Sequence, residues 1–366
     1  MINIKIGDCL EVLKTLPKNH FDTVVTSPPY YGLRDYNTGT WVGGDPNCPH
    51  KRLTKISKDT ATGHANMYDH GDVVGDAIYR QKCPICGAKR QDSQIGLELT
   101  PQDYVRRLVE VFRGVRDTLK EDGTVWLNLG DTYHNYRADG LNVKQTLHKD
   151  KHDQPEVSPN RANKIQGLKE KDLMGIPWRV AFALQEDGWY LRQDIIWHKP
   201  NPMPESVKDR CTKAHEYIFL LSKNSHYYFD HEAIQEEASQ NRWGGKTPIN
   251  VDNSKDKENV FNGLTRERDM MPETKNKRSV WTVNTKPYKE AHFAVFPTDL
   301  IEPCIKAGCP KDGHVLDPFG GSGTTGLVAD RLNRNATIIE LNKDYVEIAE
   351  DRLMGETPLF TKVKVL

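Results

Sequence analysis

Thr26-Ser27-Pro28-Pro29-Tyr30 carries the parts needed to hold an amino group attached to an aromatic ring. The lone pair of such an amine is delocalised into the ring, so its nitrogen is a poor nucleophile. Two acceptors that take its two N–H bonds turn that pair outward. Ser27 Oγ and the Pro28 carbonyl are the candidates. Proline has no N–H and stiffens the loop, so Pro28 and Pro29 can keep a carbonyl facing a ligand. Tyr30 adds an aromatic face. Far along the chain, Asp317-Pro318-Phe319-Gly320-Gly321-Ser322-Gly323-Thr324-Thr325 carries the parts for a small polar cofactor at a strand-to-helix turn.

In that second run the glycines let the backbone approach a ligand closely. The helix that follows offers free N–H groups and partial positive charge to an anion. Ser322, Thr324 and Thr325 can cap it. No lysine follows the glycines, so this is not a nucleotide-phosphate loop. An amino-acid carboxylate suits the helix end, and Asp317 suits a neighbouring ammonium. Some 20 residues on, Glu340 ends the next strand, where an acid can accept both ribose hydroxyls. Asn342 sits beside it. Ammonium, carboxylate and ribose in one ligand describe S-adenosylmethionine. The plain alternative is a structural turn or another dinucleotide site.

A third constellation is Cys48-Pro49-His50 with Cys83-Pro84-Ile85-Cys86-Gly87. Zinc takes four N/S ligands in a tetrahedron, and two turn-borne pairs can supply them. Cys-x-His is tighter than usual, and His64 and His70 are alternative ligands. Four protein ligands would make the zinc structural. The competing reading is a set of free surface thiols. Cys9, Cys211, Cys304 and Cys309 read as packed thiols.

The elements that must position these groups follow from periodicity. Ile2–Ile6 alternates as a strand, residues 9–16 have helical spacing, and residues 21–26 form a β-branched strand ending at the serine loop. A helix starts at Thr100-Pro101, with Val105, Leu108, Val109, Phe112, Val115 and Leu119 on one face. Gly123 reads as a turn before a buried strand, 124–129. A helix over 177–185 leads to strands 193–197 and 216–221, an antiparallel hairpin-like pair. A helix from Pro297 to Lys306, strand 314–317, a helix after Gly323, strand 336–341 and helix 345–353 complete the order. Strands that alternate with helices predict a mostly parallel sheet covered on both faces.

The segments His292-Phe293-Ala294-Val295-Phe296-Pro297 and Val315 to Thr325, with Ser27-Pro28-Pro29-Tyr30, resemble the β-class DNA amino-methyltransferases, which act on cytosine N4 or adenine N6. In that family the catalytic motif precedes the cofactor motif, as here. The likeness continues through Trp197-His198-Lys199-Pro200 and Glu216-Tyr217. It implies an α/β fold: a mostly parallel, doubly wound, Rossmann-like methyltransferase sheet in circularly permuted order. It implies S-adenosylmethionine held by Asp8, Ser27, Pro28, Phe296, Asp317, Pro318, Phe319, Gly320, Gly321, Ser322, Gly323, Thr324, Glu340 and Asn342. It implies a catalytic loop of Ser27, Pro28, Pro29 and Tyr30, acting on a base flipped out of double-stranded DNA. Serine at the first motif position points to cytosine N4, with adenine N6 as the runner-up.

The expected layout is core at 1–36, a zinc-binding insertion at 37–95 and core at 96–130. A variable DNA-contact segment follows at 131–175, then core at 176–234, a target-recognition segment at 235–290 and the cofactor part at 291–366. The two variable segments supply Arg137, Lys144, Lys149, Lys151, Arg161, Lys164, Arg242, Lys246, Arg266, Arg268, Lys277 and Arg278 for phosphates or guanine. Taken singly, each is also an ordinary solvated side chain.

Composition bounds the rest. The 366-residue chain is 28% charged, with 51 basic and 51 acidic residues, a formal net charge of zero and seven cysteines. A DNA-binding chain is more comfortably basic, so positive charge must gather in one cleft. No apolar run suits a membrane span, and the N-terminus does not read as a signal peptide. A cytoplasmic enzyme of a prokaryotic cell or phage is expected, with a cognate restriction endonuclease as a partner. RNA or protein-glutamine methylation are competing activities. Glutamine methylators usually carry Asn before Pro-Pro-Tyr and place the cofactor motif first, unlike this chain. A reading from another class is an inactive zinc-bearing DNA-binding protein, against which Ser27, Tyr30, Asp317 and Glu340 stand intact.

Overall fold

The strand that ends in the serine loop lies beside the strand that ends in Asp317, and the fold is built around that pair. The computed structural model describes residues 1–32, 36, 38–50, 82–134, 167–238, 274–286, 295–356 and 362–366. Its central strands are β1 (Ile2–Ile6), β2 (Phe21–Thr26), β5 (Leu119–Leu129), β11 (His314–Asp317) and β12 (Asn335–Glu340). One edge carries β6 (Tyr190–His198), β7 (His215–Ser222) and β10 (Val280–Thr282), and the other carries β13 (Val363–Val365). Together they form a nine-stranded sheet in the order β10-β6-β7-β5-β2-β11-β12-β1-β13. Strand β7 pairs antiparallel with both β5 and β6, and every other pairing in this sheet is parallel. The expected antiparallel pair is thus β6 and β7.

Helices cover both faces, as the alternation of strands and helices predicts. On one side lie α1 (Cys9–Leu13), α2 (Pro101–Thr118) and α3 (Ile176–Glu186), packed on Val24, Val125, Leu127 and Phe219. On the other lie α4 (Thr298–Gly308), α5 (Thr324–Arg331) and α6 (Lys343–Glu356), packed on Val25, Trp126, Ile218 and Leu220. Consecutive residues of β2, β5 and β7 therefore serve opposite cores, which is the period-two rule of a strand. Among the described residues, no helix is long and apolar enough to cross a membrane.

Several boundaries differ from expectation for local reasons. Helix α1 ends at Leu13, although Leu16 stays buried beyond it. Thr100 caps α2, accepting the Asp103 N–H at 3.1 Å with Pro101 in the first turn, as read from sequence. Leu119, assigned to the α2 face, instead begins β5. Gly123 is not a turn between elements but part of that strand. The β2–β5 register passes from Phe21↔Leu119 to Thr23↔Thr124, so the extra residues bulge there. A side chain at Gly123 would meet Leu119 Cγ at 2.5 Å, so the bulge needs glycine.

Strand β10 falls within the segment assigned to target recognition, and β13 lies beyond the last expected helix. The segment expected as an insertion contains β3 (Thr40–Val42) and β4 (Lys89–Gln91), an antiparallel ribbon with Trp41 opposite Arg90. A second small ribbon pairs β8 (Glu236–Glu237) with β9 (Thr274–Lys275). Most of the proposed DNA-contact residues, from Arg137 to Arg268, lie outside the described residues, as do His64, His70 and His292 to Ala294. Lys277 and Arg278 are described, and both face Glu236, with Arg278 Nε at 3.0 Å from its carboxylate.

Candidate active site

Because β2 and β11 are parallel neighbours, with Thr23 opposite Val315 and Val24 opposite Leu316, both chains leave the sheet at the same end. Thr26 Oγ1 donates to Asp317 Oδ1 at 2.6 Å. The two motifs, 291 residues apart in sequence, are joined by one buried hydrogen bond. Carboxyl ends of strands are where ligands bind in open α/β sheets.

On the serine side, Ser27 Oγ donates to Asn128 Oδ1 at 3.2 Å, and Tyr30 OH reaches the same oxygen at 3.1 Å. Asn128 comes from the carboxyl end of β5. Its amide donates to the Tyr217 carbonyl at 3.1 Å, which fixes the oxygen toward Ser27 and Tyr30. The Ser27 proton points into the protein, so the oxygen lone pairs remain for a ligand. The single Tyr30 hydroxyl proton goes to Glu216 Oε2, the nearer and charged acceptor at 2.7 Å. Burial, and then the Glu216 charge, push the Tyr30 phenol well above its ordinary value, so it stays a donor. Glu216 is in turn ion-paired with Lys199, whose ammonium lies 4.1 Å from the centre of the Trp197 ring. The Pro29 carbonyl is held by Tyr104 OH at 2.9 Å. A side chain at Gly130 would meet the Tyr30 ring at 2.5 Å, so this glycine makes room for the aromatic group.

On the glycine side, the Asp317 carboxylate is buried and engaged by protein donors. Its Oδ1 accepts from Thr26 and from the Phe319 N–H at 3.0 Å, and its Oδ2 accepts from Thr325 Oγ1 at 2.7 Å. Burial raises its pKa, with the Thr26 and Thr325 bonds opposing. Asp317 thus ties the two strand ends together before it meets any ligand. The expected hydroxyl caps of α5 are absent. Gly323, at φ +76°, occupies the cap position with no side-chain bond. Thr325 is turned to Asp317, while Ser322 and Thr324 accept from Arg352 at 3.2 and 2.8 Å.

Glu340 Oε2 accepts the Gly321 N–H at 2.8 Å and its Oε1 accepts the Asn342 N–H at 2.8 Å. A side chain at Gly321 would meet nothing within 4 Å, so there is open space beside this acid. An open glycine cradle next to a carboxylate that ends a parallel strand fits a nucleoside with free ribose hydroxyls. The Gly7 N–H donates to the Glu340 carbonyl at 2.9 Å, which brings Asp8 to the same end of the sheet. Asp8 itself caps α1 through the Leu10 N–H at 2.8 Å. Asn342 Nδ2 is turned to the Tyr36 carbonyl at 3.0 Å. Phe296 packs with the core under α4 to α6.

Comparison with known proteins fixes the family. A profile described as DNA methylase, covering N6 and N4 methylases, matches residues 21–351. The chain belongs to the DNA methylase family. It is 40% identical over 351 residues to the type II methyltransferase M.SmaI of Serratia marcescens, across 96% of this chain and 90% of that one. It is 40% identical over 354 residues to the type II methyltransferase M.Cfr9I of Citrobacter freundii, across 96% and 87%. Among solved structures, the PvuII cytosine-N4-specific DNA methyltransferase shares the fold at TM-score 0.54 and 18% identity, covering 96% of this chain and 86% of that one. The DNA methylase described here is accordingly an S-adenosylmethionine-dependent DNA amino-methyltransferase with a mostly parallel methyltransferase sheet.

Asn128, Glu216, Lys199 and Tyr104 were not among the site residues expected from sequence. Asn128 carried a signal: it is the single polar residue within the run Val125-Trp126-Leu127-Asn128-Leu129, at the ligand-binding end of a strand.

The third constellation comes together as well. Ligand atoms of Cys48, His50, Cys83 and Cys86 all lie within 4.8 Å of one another. Cys48 Sγ and Cys83 Sγ are 3.7 Å apart, and Cys86 Sγ lies 3.5 Å from His50 Nδ1. Zinc–sulfur bonds of about 2.3 Å meeting at a tetrahedral angle place two sulfurs about 3.8 Å apart. A disulfide would need about 2.05 Å. The donor set and spacing fit a four-coordinate zinc.

Proposed function

We propose that this enzyme transfers the methyl group of S-adenosylmethionine to the exocyclic N4 of a cytosine flipped out of double-stranded DNA. The observation that carries the reading is the neutral Ser27 hydroxyl, oriented by Asn128 as an acceptor and joined through Thr26–Asp317 to the glycine cradle. The cofactor supplies an electrophilic sulfonium methyl. Ser27 Oγ and the Pro28 carbonyl accept the two N–H bonds of the amine, so its lone pair faces that methyl. As the N–C bond forms, the C–S bonding pair leaves with the thioether sulfur, and the methylated nitrogen gives up its surplus proton to water. Rate comes from positioning, with no covalent enzyme intermediate. Tyr30, fixed by Glu216 and Asn128, gives the extruded base a rigid face. That the structurally similar PvuII enzyme is cytosine-N4-specific supports the choice of base. Glu340 accepts the ribose hydroxyls, Asp8 lies toward the adenine, and Asn342 and residues 318–324 line the cradle. The likeness to type II methyltransferases supports a cognate restriction endonuclease as partner, and residues 131–175 and 235–290 as the DNA-reading segments. Cys48, His50, Cys83 and Cys86 hold a structural zinc.

Methylome sequencing of DNA from cells expressing the protein tests the reading. One short motif bearing 4-methylcytosine is expected, and none with Ser27→Ala. Methyladenine in its place would overturn the choice of base.

A pH profile tests the cofactor assignment. Burial raises the Glu340 carboxyl, and its backbone N–H partners pull it down only in part. Ribose hydroxyls donate to the ionised form. Cofactor affinity is therefore full above the raised pKa and falls as pH drops through it, starting above the usual glutamate range. Calorimetric titration of S-adenosylmethionine as the pH is lowered toward the ordinary glutamate range should show this loss, and Glu340→Gln should flatten it. A profile unchanged by Glu340→Gln would remove this residue from the cofactor.

A further inference from the structure

We infer that the metal site in the insertion governs the order of the cofactor pocket, through a ribbon whose far end is clamped by the metal and whose base is part of the active site. This rests on reading Cys48, His50, Cys83 and Cys86 as a zinc site. The ribbon is β3 with β4. Beyond its far end the Cys83 N–H donates to the Ala88 carbonyl at 2.8 Å, and the Trp41 ring stacks on His50 with centroids 4.4 Å apart. The buried cluster there is Cys48, Cys83 and Ala88, with Trp41 and Cys86 against it. Two of its three buried members are ligands. A two-stranded ribbon is marginal alone, and this one has little apolar surface to bury without a metal. Metal binding would then supply its folding energy.

The base of the ribbon touches both motifs. Thr38 Oγ1 donates to Asp92 at 2.8 Å, and the Tyr36 N–H donates to Gln94 Oε1 at 2.7 Å. The Tyr36 carbonyl accepts from Asn342 Nδ2 at 3.0 Å, beside Glu340. The Tyr36 ring packs edge-on against Tyr345 of α6, with centroids 6.1 Å apart. On the catalytic side, the Gly32 N–H donates to the Gly96 carbonyl at 2.7 Å. A side chain at Gly96 would lie 3.0 Å from the Tyr30 carbonyl, so the two segments are in close contact. If the ribbon melts, the strap formed by Tyr36, Gln94 and Gly96 loses the pairing that holds it between Asn342 and the serine loop.

The test uses the full chain. Elemental analysis should find one zinc per chain. Stripping it with a chelator should weaken S-adenosylmethionine binding by at least about tenfold, because the competent pocket is then only fractionally populated. Zinc re-addition should restore it, while cooperative unfolding of the core persists. Gln94 is not one of the four metal-ligand residues. Gln94→Ala should keep its zinc, bind the cofactor more weakly, and respond less to zinc removal. If stripping unfolds the core, Gln94→Ala decides alone, and native cofactor affinity in that variant would overturn the inference. Equal cofactor affinity in stripped and zinc-loaded protein would overturn the coupling and leave the zinc site standing. Protein without zinc in any preparation would overturn both. Failure of zinc-loaded protein to bind S-adenosylmethionine would strike the cofactor assignment instead.

Discussion

Ser27→Ala is expected to lower methyl transfer by about 10²–10³-fold, the usual cost of removing one preorganised hydrogen-bond partner of a transition state. The loss follows from the amine. Without the Ser27 oxygen, one N–H is no longer drawn away, and the nitrogen lone pair returns to the ring. Asn128 Oδ1 also loses its Ser27 donor, while the Asn128 amide stays anchored on the Tyr217 carbonyl and Tyr30 on Glu216. The sheet is untouched, so S-adenosylmethionine affinity should fall by far less than the transfer rate, by about 1 kcal/mol at most if the Ser27 hydroxyl also meets the cofactor. Single-turnover transfer of labelled methyl to a synthetic duplex, beside calorimetric binding of the cofactor, separates the two effects. Equal transfer rates in the variant and the native enzyme would remove Ser27 from the chemistry. Asn128→Leu is a useful companion. It keeps the Ser27 hydroxyl but frees its proton to point anywhere, so activity should fall although the acceptor is present.

The two motifs were legible because each is local. Ser27 to Tyr30 follows a β-branched run, Asp317 to Thr325 follows another, and strand ends are where α/β sheets bind ligands. That they meet depends on β2 lying beside β11, which no local pattern states and which the Thr26–Asp317 bond shows. The support behind the serine loop was harder to read. Asn128 and Glu216 converge because β5 and β7 pair antiparallel, with Asn128 opposite Ile218 and Leu129 opposite Tyr217. Periodicity alone does not set that register. A shift of one residue would turn Asn128 into a core. Gly123 read as a turn because glycine marks both turns and bulges, and only the partner strand distinguishes them. Strand β10 escaped because its three residues adjoin a long polar stretch, although Val280-Trp281-Thr282 is β-prone and Trp281 is buried. The hydroxyls after Asp317 look like helix caps from sequence. The buried Asp317 carboxylate takes Thr325, and Arg352, 28 and 30 residues further on, takes Thr324 and Ser322.

Asp317 should separate two substitutions that a purely ligand-binding role would not. Asp317→Ala leaves Thr26 Oγ1 and the Phe319 N–H without their acceptor at a residue that is 1% exposed, while Thr325 Oγ1 can still turn to the Val25 carbonyl. Each orphaned buried donor costs about 1–3 kcal/mol, so a loss of at least about 2 kcal/mol is expected from these two. That is a large share of a domain stability of about 5–15 kcal/mol. Asp317→Asn keeps Oδ1 for Thr26 and Phe319. Its amide meets Thr325 Oγ1, which can accept that N–H and turn its own proton to the Val25 carbonyl, 3.3 Å away. The substitution also removes a carboxyl whose ionised form is penalised by burial. Asn is therefore expected to fall within about 1 kcal/mol of the native stability, the net worth of a single exchanged hydrogen bond. Denaturant unfolding measures both. Cofactor binding should follow the same ranking if Asp317 acts by tying β2 to β11. If the carboxylate instead met the ammonium of S-adenosylmethionine directly, Asp317→Asn would lose cofactor affinity while keeping its stability, and that dissociation of the two readouts would overturn the tie as its main role.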